Sequence, residues 1–302
     1  MTDIFQIALL KEHGLSIGIA RTTLTCRESA RLHGLKVTSQ IALGRLLTST
    51  AIVGLMQERS GALSMQIVSS GRFKQVYADV TPEGHLRGYI DTTDLELPLL
   101  STESSRGRRS IAPGFGAGHL SVIRNADVHN FVQSNTELVH REVDTDVLHY
   151  LETSDQNASA LRTEVLVDNN DVIDVAGGLA IQALPHADAE MLQTLRERLE
   201  ADTFPELLRD HFGDLSQFLG HFCPEATWTP QSTPLKWKCR CSRERVTNAL
   251  RMLSPDDLGD LVNDRKAISL DCQFCSKSFT VSPEELEQVF ADLIIAQGTQ
   301  KN

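Results

Sequence analysis

Four of the six cysteines in this chain stand in two tight pairs, Cys239 and Cys241 in KCRCS and Cys272 and Cys275 in DCQFCS. Thirty residues lie between Cys241 and Cys272. Two such pairs, brought together, supply the four sulfurs of a closed tetrahedral zinc site. A site with four thiolates keeps no coordination position open, so it is structural or responsive to oxidants, not hydrolytic. The competing assignment, cysteines that merely sit in a core, is weaker because helix-start signals surround both pairs. Lys236, Lys238, Arg240, Arg243 and Arg245 flank the first pair. Cations favour the thiolate, and the thiolate is the form that oxidants attack. On this chemistry alone a static zinc ribbon and a metal-held switch both remain open.

The elements that must position these sulfurs are local and well signalled. Lys236 to Arg240 is short and extended, and a strand puts residues two apart on one face, so Cys239 and Cys241 point the same way. Ser242 can cap a helix running to Leu253. Ser254-Pro255-Asp256-Asp257 is a second helix start, with serine as cap, proline in the first turn and acids at the positive end. Ile268 to Leu270 feeds the second pair. Ser282-Pro283-Glu284-Glu285 is a capping box that opens a final helix with Leu286, Val289, Phe290 and Leu293 on one side. Residues 235–302 therefore form a small module of modest apolar content, whose folding is coupled to the metal.

Upstream, residues 186–234 read as a linker. Met191, Leu192, Leu195 and Leu199, then Leu207, Leu208, Phe212, Leu215, Phe218 and Leu219, recur at helical spacing among charged residues, interrupted at Pro205 and Gly213. That amphipathic stripe must lie on something. Cys223 to Pro234 is rich in proline and threonine, a hinge-like connector. Residues 1–185 read as a mixed α/β core. Strands are expected at Ile4 to Leu10, Leu15 to Ala20, Ala62 to Val68, Phe73 to Val80, Leu86 to Ile90 and His119 to Arg124. A hairpin is expected over Leu161 to Gln182, turning at Asn169-Asn170-Asp171, with Gly177-Gly178 marking a bulge or a close backbone approach. Helices are expected from Thr25 to Gly34, from Thr38 or Ser39 to Met56, and from Asp144 to Glu152. Residues 91–118 read as loop. The fold class is α+β: a core with sheets and packed helices, a helical linker and a small zinc-binding domain.

Composition sets further bounds. The 302 residues are 41% apolar and 23% charged, ordinary for a globular protein of about two domains. A net charge of −11 argues against general nucleic-acid affinity, although the basic run from Lys236 to Arg251 is a candidate footprint for a zinc-ribbon nucleic-acid binder. The acids that follow, Asp256, Asp257, Asp260, Asp264, Glu284, Glu285 and Glu287, argue against it. MTDIFQIALLKEHG carries no secretory signature, and no apolar run reaches the ~18 residues of a membrane span. A reducing cytoplasm, with no membrane partner, is the expectation, and there clustered cysteines serve metals or redox chemistry. Gly114-Phe115-Gly116-Ala117-Gly118 lacks the lysine and the strand-to-helix context of a phosphate loop. His221 and Cys223 adjoin in the linker, where a metal contact is an open alternative and a surface hinge the expected reading, and Cys26 and Cys223 each read as a buried small apolar residue. No HExxH or nucleophile elbow is present, so no enzyme is expected.

The arrangement resembles the heat-shock protein 33 family of redox-regulated chaperones. The resemblance rests on Cys239-Arg240-Cys241-Ser242-Arg243-Glu244-Arg245, on Cys272-Gln273-Phe274-Cys275, and on VTPEGHLRGYI (Val80 to Ile90) and AGGLAIQALPHA (Ala176 to Ala187) in the core. It spans most of the chain. It implies a reduced, inactive form with one zinc ion per chain on Cys239, Cys241, Cys272 and Cys275. It implies that oxidation forms the disulfides Cys239–Cys241 and Cys272–Cys275, releases the zinc and unfolds the C-terminal module and linker. A dimer would then hold unfolding client proteins without ATP. The resemblance moves the balance from static ribbon to switch.

Overall fold

A computed structural model describes residues 2–56, 61–98, 109–125, 131–224 and 231–299. The chain divides into two compact units, Met1–Lys238 and Cys239–Asn302.

The first unit begins with a hairpin, β1 (Ile4–Leu10) and β2 (Leu15–Arg21), followed by helices α1 (Thr23–His33) and α2 (Val37–Met56). Helix α1 starts two residues before Thr25 because Asp3, distant in sequence, supplies the cap. Its carboxylate accepts the backbone N–H of Leu24 at 3.0 Å and of Thr25 at 2.6 Å. Gly34, at φ +60°, ends the helix in the left-handed conformation that glycine adopts without strain. Helix α2 also starts earlier than expected. Thr38 and Ser39 lie inside it, and their hydroxyls serve the neighbouring loop, Thr38 accepting from Leu97 N–H and Ser39 donating to Thr92 O.

Strands β3 (Ala62–Ser69), β4 (Gln75–Val80), β5 (His85–Ile90), β6 (Gly118–Asn125) and β7 (Phe131–Glu137) follow. Then come α3 (Val143–Thr153), β8 (Ser159–Val167) and β9 (Ile173–Ala183), and the linker helices α4 (Ala189–Glu200), α5 (Phe204–His211) and α6 (Leu215–Phe222). The expected loop at 91–118 falls partly on 99–108, outside the described residues. The connector expected from Cys223 to Pro234 is not wholly a hinge. Residues 225–230 lie outside the described residues, but β10 (Gln231–Pro234) pairs antiparallel with β1, and β11 (Lys236–Trp237) pairs parallel with β5.

Two sheets result, one in the order β10-β1-β2-β9-β8 and one in the order β11-β5-β4-β3-β6-β7. Helix α2 lies between them, with Ile41, Leu43, Leu46, Leu47, Ile52 and Val53 at most 1% exposed. It is long and apolar enough to cross a membrane, but 89% of that window is buried in this core. The other face of the first sheet carries the linker. Leu15, Ile17 and Ile19 of β2 and Leu179 and Ile181 of β9 pack with Leu195, Leu199, Phe204, Leu208, Phe212, Phe218 and Phe222. Alternation along β2 thus serves two cores at once, since Ala20 joins the α2 side. The linker stripe has its partner in this sheet.

Gly177 explains how closely the linker approaches. A Cβ there would meet Phe212 Cε1 at 2.1 Å, so Phe212 sits directly on the backbone of β9. The glycine pair marks a close approach; the only register shift between β8 and β9 lies at Leu166/Val167. Two buried arginines of the same sheet then hold the linker turns. Arg162 donates to Leu199 O at 2.9 Å and Ala201 O at 3.0 Å, before α5. Arg21 donates to Phe212 O at 2.7 Å and Gly213 O at 2.9 Å, before α6. At the linker's start, Asp188 caps α4 and pairs with His13 at 2.9 Å, which holds its carboxyl below the usual range.

Arg162 belongs to a buried chain of charges. It meets Glu164 at 2.8 Å, Glu164 lies 3.5 Å from Arg45, and Arg45 meets Glu142 at 2.9 Å. Glu142 also accepts from Ser110 and from the N–H groups of Ile111 and Ala112. Removing one partner of such a network strands a buried charge. Glu142→Ala is expected to lower stability by about 3–5 kcal/mol, read as a fall in the urea midpoint. Gly177→Ala should leave the core folded but drive Phe212 off β9. Faster amide exchange confined to Ala189–Phe222 is the expected result, and unchanged exchange there would refute the contact.

Candidate metal centre

The second unit is small. Its helices are α7 (Arg243–Leu250), α8 (Pro255–Asn263) and α9 (Pro283–Thr299), with one hairpin, β12 (Ile268–Asp271) and β13 (Ser278–Val281). The caps stand where the sequence puts them. Ser242 Oγ accepts Arg245 N–H at 3.2 Å, and Ser254 Oγ accepts Asp257 N–H at 3.1 Å. At α9 the box is reciprocal: Glu285 N–H donates to Ser282 Oγ at 3.3 Å, while Ser282 N–H donates to Glu285 Oε2 at 2.9 Å. Helix α7 ends at Leu250, short of Leu253. Among the described residues five apolar side chains, Leu250, Leu258, Val281, Leu286 and Val289, make the buried cluster of the unit.

The second cysteine pair sits in the turn of the hairpin. Cys272 N–H donates to Lys277 O at 3.0 Å, and Ser276 N–H donates to Cys272 O at 2.8 Å. Ser276 takes φ +55°, which tightens the turn so that Cys272 and Cys275 project to one side. The first pair follows β11 outside any helix or strand, with Cys239 and Cys241 separated by Arg240. All four Sγ atoms lie within 4.8 Å of one another. Cys239 and Cys272 are 3.6 Å apart, as are Cys241 and Cys275.

These distances fit a metal. A disulfide would place sulfurs ~2.05 Å apart. Four sulfurs each ~2.3 Å from a central zinc would stand about 3.8 Å from one another. The electrostatics agree. Burial, then the adjacent sulfurs of Cys239 and Cys275, push the Cys241 thiol up to about 12. Burial, with Cys239 beside it, raises Cys275 as well. Burial acts upward on Cys239 too, but hydrogen bonds from the Cys241 backbone and from the other sulfurs outweigh it and leave Cys239 below an ordinary thiol. One negative charge is easily held in this cluster and further ones are resisted. Four thiolates therefore require a cation among them.

Arg243 ties the two halves of the unit together. It reaches Glu285 at 2.6 Å and 2.7 Å and donates to Thr280 O at 2.8 Å. Arg251 pairs with Asp292 at 2.9 Å. Two cations of the basic run are thus engaged inside the module. Neither the Arg243 tie nor the β12–β13 hairpin was read from sequence; alternation in Ser278–Val281 is the signal that marks the second strand.

The other candidates lie elsewhere. Cys26 is buried against Thr22 and Gly44, and burial pushes its thiol up to about 12. Cys223 is fully buried in the linker core, and His221 stacks on His211 with ring centroids 4.0 Å apart. The glycine-rich loop packs on another loop: a Cβ on Gly71 would meet Gly116 N at 2.4 Å.

Comparison with known proteins places this geometry in context. Residues 3–282 match the family model described as Hsp33 protein. The chain is 31% identical over 295 residues to a 33 kDa chaperonin of Desulfotalea psychrophila, covering 96% of this chain and 97% of that one. It is 32% identical over 315 residues to a 33 kDa chaperonin of Gloeothece citriformis, covering 99% and 100%. The crystal structure of the 33 kDa chaperonin (heat shock protein 33 homolog) from Thermotoga maritima superposes with a TM-score of 0.84, at 25% identity, covering 97% and 99% of the two chains.

If metal holds the small unit together, Cys272→Ser should abolish tight metal binding and unfold residues 239–302 while the larger unit stays folded. Structural zinc contributes ~10–16 kcal/mol in such modules, far more than their marginal cores supply. Amide exchange resolved along the chain tests this, and full protection of α8 and α9 in the metal-free variant would contradict it.

Proposed function

The chain belongs to the Hsp33 family of chaperones, and from that premise we propose that it is a redox-regulated holdase, which binds unfolding proteins without ATP under oxidative stress. In the reduced form Cys239, Cys241, Cys272 and Cys275 hold one zinc ion and the protein is inactive. Bound there, zinc supplies coordination only, closing four thiolates into one cluster that keeps a small unit folded. The observation that carries the reading is the conjunction of these four sulfurs, within 4.8 Å of one another, with a unit whose buried apolar cluster has five side chains among the described residues.

Oxidation joins Cys239 to Cys241 and Cys272 to Cys275. In each event two thiols lose two protons and two electrons, and one peroxide takes them up to become two waters. Sulfurs joined in this way no longer serve as thiolate ligands, and the unit loses the contact that offset its small core. Residues 235–302 are the switch, 186–234 the segment released with it, and 1–185 the core. Release exposes the apolar face of α4 to α6 and the sheet beneath it, a surface suited to unfolded clients. A dimer forms in this oxidised state. The reducing conditions that keep the thiols available place the protein in the cytoplasm, and it performs no catalysis.

A zinc-ribbon nucleic-acid binder is the second reading, and the basic run around Cys239 favours it. The pairing of Arg243 with Glu285 and of Arg251 with Asp292 weighs against it. Peroxide at elevated temperature should release about one zinc per chain, as a single four-thiolate site requires, and in parallel suppress aggregation of an unfolding client. Disulfide mapping of the same sample should return the two within-pair bonds. Full metal retention with four free thiols in that module would sink the switch, and salt-sensitive RNA or DNA binding by the reduced protein would favour the second reading.

A further inference from the structure

Where the linker meets the core, a cavity of about 410 Å³ opens between α1, β9 and the α5–α6 turn. Its walls carry three guanidiniums, Arg21 and Arg27 from the core and Arg209 from the linker, on a chain whose net charge is −11. Arg21 is engaged by backbone carbonyls on both sides of the seam. The Asp3 carboxylate is engaged by the N–H groups of α1. Arg27 and Arg209 are the exposed cations. Arg27 donates through Nε to Ile173 O at 2.6 Å and touches Asp174 O at 3.3 Å. Arg209 reaches Asp174 only through Nε, at 3.3 Å, with both side chains nearly half exposed. So open and long a pair contributes little. Both Nη atoms of Arg209 are without partners among the described residues. Arg209 also lines a second cavity, about 160 Å³, which Arg109 shares.

We propose that this cavity binds a small multiply charged oxyanion of the phosphate class, bridged between Arg27 of the core and Arg209 of the linker. Planar guanidiniums bind such oxyanions in bidentate fashion, and the ligand would replace the weak contact to Asp174. Because the site is built from both sides of the seam, it exists only while α5 is docked. A ligand that binds only the docked state stabilises it by mass action. The consequence for regulation, which rests on the linker release proposed above, is that a phosphate-class anion raises the threshold for activation.

The test uses the full, reduced, metal-loaded chain in phosphate-free buffer at fixed ionic strength, titrated calorimetrically with orthophosphate, pyrophosphate and a nucleoside triphosphate in separate arms. Pyrophosphate should bind, and it should slow proteolytic cleavage between Ala189 and Phe222. Arg27→Gln and Arg209→Gln should each weaken binding about tenfold or more, as loss of a charged hydrogen-bonding partner implies. Arg31→Gln, on α1 but outside the cavity, should leave it unchanged. Tighter binding of the nucleoside triphosphate than of pyrophosphate would identify a nucleotide source for the phosphoryl group; weaker binding would identify free inorganic anion. Absence of binding at ~10 mM pyrophosphate, enough to fill most of a site with millimolar Kd, overturns the proposal. So does unimpaired binding by both glutamine variants. Binding and protection are measured without oxidant or client, so failure of the holdase reading would leave them standing.

Discussion

A unit of about sixty residues buries too little apolar surface to hold itself together, and such units usually rely on a metal, disulfides or a partner. Here Leu250, Leu258, Val281, Leu286 and Val289 form the buried cluster, while most of α7 to α9 stays open to water. A metal held by the four sulfurs, as proposed above, would supply the missing constraint. Such a cluster joins the segment at Cys239 and Cys241 to the hairpin turn at Cys272, across the thirty residues between Cys241 and Cys272 that contain α7 and α8. The Arg243–Glu285 pair spans the same two halves, but it is exposed and contributes little by comparison. On that proposal the unit's stability would depend on the chemical state of four atoms.

The linker has the complementary problem. Helices α5 and α6 are eight residues each, below the length at which an isolated helix persists in water. They are helical because Phe204, Leu208, Phe212, Phe218 and Phe222 lie on the sheet, and because Arg162 and Arg21 satisfy the carbonyls at the turns between them. A segment built in this way does not swing out as a rigid arm. Once it leaves the sheet it loses both its apolar contacts and its turn partners, so departure and melting are one event. Such a segment would be two-state, the property that the switch proposed above needs.

Much of this architecture was legible because its signals are local. The CxC and CxxC spacing, the serine caps at 242, 254 and 282, the helical stripe of the linker and the Gly177-Gly178 approach all depend on residues a few positions apart. What was not legible depends on distance. Strand β7 has mostly polar, exposed residues and carries no core pattern, since only one of its edges joins the sheet. Strand β10 is four residues whose pairing with β1 spans more than two hundred positions. Thr38 and Ser39 look like helix caps until the loop at Thr92 and Leu97 claims their hydroxyls, and the true cap of α1 is Asp3, which no local window includes.

The sulfur geometry also bears on the switch proposed above. The pairs at 3.6 Å are Cys239 with Cys272 and Cys241 with Cys275, each joining the two halves of the module. Disulfides with that connectivity would staple the halves across loops of more than thirty residues and restrict the unfolded chain, so oxidation would replace one constraint by another. Bonds within the pairs close only the few atoms between Cys239 and Cys241 and between Cys272 and Cys275. They remove four ligands and tether nothing distant, leaving the small core unaided. In a tetrahedral cluster all sulfur separations are similar, so proximity does not select the pairing. The within-pair bonds are the pairing proposed above, and the one residue between Cys239 and Cys241 and the two between Cys272 and Cys275 would keep each partner close once the cluster opened. On the proposed pairing, the same short spacing that builds the site would make oxidation of this module a route to unfolding.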